Sequence, residues 1–98
     1  MFIVILTYRR PIEEIDQYVA EHRAFLESCY QKKLLIASGP QVPRTGGVLL
    51  ARGGSQSQLE GILREDPFYQ QGLADYHFIE FNPIKYDPDF ASFLTAVP

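Results

Sequence analysis

The stretch MFIVILTY (Met1–Tyr8), closed by Arg9-Arg10-Pro11, decides the fold. It is rich in β-branched and aromatic residues and reads as a strand. Phe2, Val4 and Leu6 lie on one side, Ile3 and Ile5 on the other. Proline removes a ladder donor and suits the first turn of a helix, so the strand must end there. Outward from this point Ile12, Ile15, Val19, His22 and Leu26 recur at three- and four-residue steps, a helical stripe running to about Gln31. Glu13, Glu14 and Asp16 sit in its first turns and Lys32-Lys33 at its end, as the macrodipole favours. Leu34 to Ser38 reads as a second strand stopped by Gly39-Pro40, Gln41 to Gly46 as a polar connection, and Gly47 to Arg52 as a third strand. Gly53-Gly54 turns the chain into a second helix, with Ser57 and Glu60 at capping-box spacing and Leu59, Ile62 and Leu63 facing inward. Pro67 opens a short helical turn that Gly72 closes. Tyr76 to Phe81 is a fourth strand, and Asp87-Pro88 begins a short helix through Leu94.

The order β-α-β-β-α-β predicts an α+β, ferredoxin-like fold: a four-stranded antiparallel sheet with two helices on one face. The 98 residues suit a single domain, with a core over about 1–86 and a tail over 87–98. A sheet covered on one face should alternate apolar and polar residues. Here strand one is apolar on both sides. Strand two sets Leu34 and Ile36 against Leu35 and Ala37, and strand four sets Phe78 against Ile79 and Phe81. Two helices cover one face only, so a second copy is the expected cover, giving a face-to-face homodimer with a barrel-like interior.

Charge and composition exclude several functions. The net charge of -3 is spread along the chain, and Arg9-Arg10 and Lys32-Lys33 are its basic pairs, so no nucleic-acid face is visible. The third strand also lacks the aromatics of an RNA-recognition sheet. No apolar run approaches the ~20 residues of a membrane span. Met1 leads directly into the first strand, which reads as no signal peptide, and the single cysteine fits a reducing, cytoplasmic setting. Two histidines and one cysteine are too few for structural zinc. Gly53-Gly54-Ser55 lacks the lysine and spacing of a P-loop, so it reads as a plain turn, and no cofactor is expected.

Two titratable residues stand where apolar ones belong. His22 lies on the inward stripe of helix one, either as a core histidine satisfied by a carbonyl or as a general acid or base in a pocket. Asp66 occupies the next inner position after Leu63. Before Pro67 it is an ordinary helix cap, yet a cap's free oxygen can also face an imidazole and fix its tautomer. Ser38-Gly39-Pro40 is a turn, or a place where glycine lets a ligand approach and Ser38 offers a hydroxyl. His77 reads as a partly buried strand residue and Cys29 as packing.

These pieces together resemble the YCII-related family over almost the full length. The matching segments are the apolar first strand, Glu21-His22 before Arg23-Ala24-Phe25-Leu26, Ala37-Ser38-Gly39-Pro40, Gly46-Gly47, Asp66-Pro67-Phe68 with Gly72-Leu73, and Phe81-Asn82-Pro83. The resemblance implies a dimeric α+β barrel, and it implies that His22 and Asp66 correspond to the family's proposed active-site pair. Related domains act on small aromatic rings, including dehydrochlorination of a chlorinated hydroxyquinol. The short segment between Pro40 and Gly47 and the tail from Asp87 depart from the pattern. The expectation is a cofactor-independent small-molecule enzyme using His22 and Asp66, with Ser38 and Gly39 lining the pocket. The alternative is a domain that binds a metabolite without turnover.

Overall fold

The computed structural model describes residues 1–94. Four strands, β1 (Phe2–Tyr8), β2 (Leu35–Pro40), β3 (Gly46–Ala51) and β4 (Ala74–Glu80), form one sheet in the order β2-β3-β1-β4. Every pairing is antiparallel. Helices α1 (Ile12–Asp16), α2 (Val19–Gln31), α3 (Gln56–Leu63) and α4 (Pro67–Gln70) supply the cover, and a 3-10 helix spans Pro88–Leu94. This is the ferredoxin-like α+β arrangement that the element order predicts.

The core forms on one face. Phe2, Val4 and Leu6 are buried beneath Ile15, Leu26, Cys29, Leu59, Leu63 and Phe68. Each fully buried side chain of this size contributes about 1.5–3 kcal/mol relative to exposure, and the inward half of β1 is therefore its most constrained part. Gly46 opens β3 beside this core. A Cβ there would overlap the Leu6 carbonyl, so only glycine lets β3 lie so close to β1.

Among the described residues nothing covers the other face. Ile3 pairs with Leu50 and Ile79, and Ile5 with Val48 and His77, so these side chains share the open side. Ile79 is 40% exposed. His77 is exposed here, not partly buried as its alternation suggested.

Several boundaries differ from the sequence reading, each for a local reason. The first helix breaks between Asp16 and Val19. Gln17 and Tyr18 donate to carbonyls three residues back, Glu14 and Ile15, a tighter closure that ends α1 before α2 restarts. The capping box of the helix after β3 is Ser55 with Gln58, two residues ahead of the Ser57–Glu60 pair. Ser55 Oγ accepts from the Gln58 amide at 3.1 Å, and Gln58 Oε1 accepts from the Ser55 amide at 3.2 Å. β2 runs through Gly39 and Pro40, which pair with Val48 and Gly47. Proline is tolerated because β2 is an edge strand. β3 and β4 begin at Gly46 and Ala74, one and two residues earlier than expected, and end at Ala51 and Glu80.

A bulge on the edge strand changes which residues reach the helices. The β2–β3 register shifts between Leu35 and Ala37, leaving Ile36 as an extra residue. Leu35 faces the core opposite Ala51. After the bulge it is Ser38, opposite Leu49, that takes the helix-covered side, while Ala37 turns to the open side with Leu50.

Candidate functional site

His22 stands at the end of the first turn of α2, its amide bonded to the Tyr18 carbonyl, on the stripe that continues to Leu26. The ring is thereby aimed at the end of α3 and the start of α4. There Asp66 caps α4, with Pro67 at its first position. The cap and the pairing with histidine coexist on one carboxylate. Asp66 Oδ1 accepts from the Phe68 amide at 3.0 Å and from the imidazole Nδ1 of His22 at 2.8 Å. Oδ2 accepts from the Tyr76 hydroxyl at 2.6 Å. Asp66 is 0% exposed, and these three donors are what make a buried carboxylate tolerable.

The ring of His22 is fixed in a second way. It stacks on Phe68 with centroids 3.9 Å apart and planes 2° from parallel. Phe68 itself is buried and meets Tyr8 edge-on. A histidine that gives its Nδ1 proton to a carboxylate keeps Nε2 as the basic nitrogen. Among the described residues Nε2 has no protein partner, and His22 lines a cavity of about 490 Å³ between α2 and the β2–β3 edge.

Ser38 and Gly39 line the same cavity. Ser38 Oγ lies 2.6 Å from the Tyr30 hydroxyl, an arrangement the bulge at Ile36 makes possible. Arg23, from α2, and Arg44, from the β2–β3 loop, also reach the wall. Arg44 bonds Asp16 Oδ1 at 2.7 Å and lies over the Tyr8 ring, which ties that loop to α1. All four residues singled out from sequence, His22, Asp66, Ser38 and Gly39, thus come together here: three line the cavity, and Asp66 sits behind His22. Cys29 is buried elsewhere in the core, where burial pushes its thiol above the ordinary range and disfavours the thiolate.

The sequence reading missed Tyr76. It had the residue as a strand start, whereas Tyr76 lies mid-strand opposite Leu6, on the helix-covered face. The available signal was chemical: a tyrosine two residues from Phe78 shares its inward side, and a buried hydroxyl needs an acceptor. Burial, followed by the Asp66 charge, pushes the Tyr76 hydroxyl well above its ordinary range, so it stays a donor.

The YCII-related domain model matches residues 1–82. This chain belongs to the YCII-related domain family. No curated protein matches it by sequence. Among solved structures it is similar to 5-chloro-2-hydroxyhydroquinone dehydrochlorinase (TftG) from Burkholderia phenoliruptrix, in complex with 2,5-dihydroxybenzoquinone. The TM-score is 0.69 at 22% identity, over 84% of this chain and 94% of that one. At that identity the likeness establishes the shared YCII fold. Among the described residues no helix is long and apolar enough to cross a membrane.

The network makes a stability prediction. Tyr76→Phe leaves a buried carboxylate oxygen without its donor and should cost about 1.5–3 kcal/mol in urea unfolding at neutral pH. Because the folded-state pKa of Tyr76 is raised, its contribution is full below the unfolded value of 10.0 and is lost as pH climbs beyond it, where the unfolded chain ionises first. The stability gap between wild type and Tyr76→Phe should therefore narrow above about pH 10. A gap that stays constant into the alkaline range contradicts the network.

Proposed function

We propose that this protein is a cofactor-independent small-molecule enzyme of the elimination or isomerisation type, with His22 as its proton-transfer group. The observation that carries this reading is the 2.8 Å bond from His22 Nδ1 to Asp66 Oδ1, which leaves Nε2 for the cavity. Nε2 takes a proton from an acidified carbon or hydroxyl. The imidazolium so formed sits against the Asp66 carboxylate, which neutralises it without itself accepting the proton. In an elimination the C–H pair becomes the new double bond, the leaving group departs with its own electron pair, and His22 returns the proton to solvent or to that group. The electrons stay within the substrate and its leaving group, so the chemistry calls for no redox partner.

Asp66 is a positioning residue in this scheme, and Tyr76 holds Asp66 in turn. Ser38 and Gly39 line the substrate's side of the cavity. Arg23 on the wall favours a substrate with an ionised oxygen, whereas the charge of Arg44 is already met by Asp16, which lines the cavity beside it. The dehydrochlorinase with the shared fold acts, by its name, on a chlorinated hydroxyhydroquinone, so hydroxylated rings are the first substrates to try. The second reading, a domain that binds such a molecule without converting it, rests on the same cavity.

We further propose that the chain is a homodimer and cytoplasmic. Supporting the dimer is the apolar open face of the sheet, where Ile3, Ile5, Val48, Leu50 and Ile79 gather. Flat apolar faces of this kind are normally covered. The buried, unpaired Cys29 fits a reducing compartment.

Two measurements test this. A panel of chlorinated and unchlorinated hydroxyquinols and lactones, followed by absorbance and halide release, should reveal turnover that His22→Asn lowers by about 10²–10⁴ in kcat. Asp66→Asn keeps the cap and should also lower kcat, with less effect on KM. Full turnover in His22→Asn sinks the mechanism, and saturable binding with no conversion of any compound supports the binding domain instead. Light scattering should give twice the chain mass or a multiple of that; a monomer at all concentrations contradicts the dimer.

A further inference from the structure

A second cavity, of about 1140 Å³, lies away from His22, between the end of β3, the helix α3 and the returning segment 82–94. Its walls are mostly apolar: Leu59 and Ile62 from α3, and Ile84, Tyr86 and Phe93 from the returning segment. Ile84 is 80% exposed and Tyr86 49% exposed, although each faces this space. Pro83, Ile84, Tyr86, Phe93 and Leu94 lie beyond residue 82, where the family match ends, so this chain's extension closes one side of a cavity whose floor belongs to the family domain.

Among the described residues one cationic side chain lines it, that of Arg52. Arg52 follows β3 and places its guanidinium over the Phe93 ring, 5.4 Å from the centroid. Its Nε is buried and, among the described residues, has no hydrogen-bond partner. An orphaned buried donor is rare and costly. No carboxylate side chain among the described residues lines the cavity. A guanidinium placed over an aromatic ring still offers its two terminal nitrogens, whose N–H groups form a fork that suits a carboxylate.

We propose that this cavity binds an aromatic carboxylate, with its charge on the terminal N–H groups of Arg52 and its ring between Leu59, Ile62 and Phe93. The site is separate from the His22 cavity and does not depend on the reaction proposed there. Among the described residues Arg52 has no ion-pair partner, and a carboxylate ligand gives that and the apolar surface left open at Ile84 and Tyr86 one common cause.

Calorimetric titration with 2-naphthoate and its neutral counterpart 2-naphthamide tests this in the full chain. Wild type should bind the acid at least about tenfold more tightly than the amide, as one charge-assisted contact supplies. Arg52→Met should remove that preference while leaving amide binding unchanged. Gly61 lines the cavity, and a Cβ there meets no atom within 4 Å. Gly61→Leu should therefore fill the space, weaken both ligands by about tenfold or more, and leave the melting temperature no lower, since leucine favours helix over glycine. His22→Asn should bind as wild type does. Equal affinity for acid and amide, no saturable binding at millimolar ligand, or binding that follows His22 instead of Arg52 overturns the proposal. So does a change in molecular mass for Gly61→Leu, which would mark the cavity as a contact between copies. If Arg52→Met fails to fold, the acid–amide comparison in wild type and Gly61→Leu still decides.

Discussion

A carboxylate at 0% exposure is the constraint around which this molecule is arranged. Removing such a charge from water costs several kcal/mol, and the cost is met only where hydrogen bonds replace the lost hydration. Asp66 receives three, one each from α4, α2 and β4: the Phe68 amide, the His22 ring and the Tyr76 hydroxyl. The bonds fasten the two helices that carry the site to the strand beside β1. They also settle what each partner is chemically. Tyr76 is held as a neutral donor, and Nδ1 of His22 is committed inward. A single residue therefore caps a helix, joins three elements and orients the His22 ring at the cavity wall.

The rest of the fold supports that arrangement. α1 is short and separately closed, so α2 sets its own angle and turns His22 toward α4. Phe68 stacks on the face of the ring and is itself buried, so the imidazole has little freedom to rotate. Opposite, the bulge at Ile36 reverses the faces of β2 and gives Ser38 to Tyr30. Rigid, irregular edges of this kind are where sheets build sites, since a bulge re-aims side chains without breaking the core.

Much of this was legible in the sequence, and the failures are physical in origin. His22 stood out because it broke an apolar stripe, and Asp66 because Asp-Pro is a cap at an inward position. Their meeting needed a distance that spacing alone does not carry. Tyr76 was missed because it was read as the first residue of β4, where a side chain can reach water, whereas the strand begins two residues earlier and holds Tyr76 mid-strand over the core. Ser38 was named for its glycine neighbour; the bulge that turns it inward has no signature in Leu34–Pro40. The helix break at Gln17 and Tyr18 was invisible because the apolar stripe runs through it. The capping box was displaced because Ser55–Gln58 and Ser57–Glu60 carry the same spacing. The second cavity depends on residues 82–94 folding back over α3, a long-range contact that local pattern does not encode.

The central claim is that Asp66 holds the proton of His22 on Nδ1 and leaves Nε2 free. Nitrogen-15 NMR of histidine-labelled protein reads this directly, in mildly alkaline buffer where imidazole is neutral. His22 should show the Nδ1–H tautomer, with Nε2 at the shift of an unprotonated ring nitrogen, and Asp66→Asn should move the ring toward a tautomer mixture. A His22 ring protonated on Nε2 in the wild-type protein would contradict the claim.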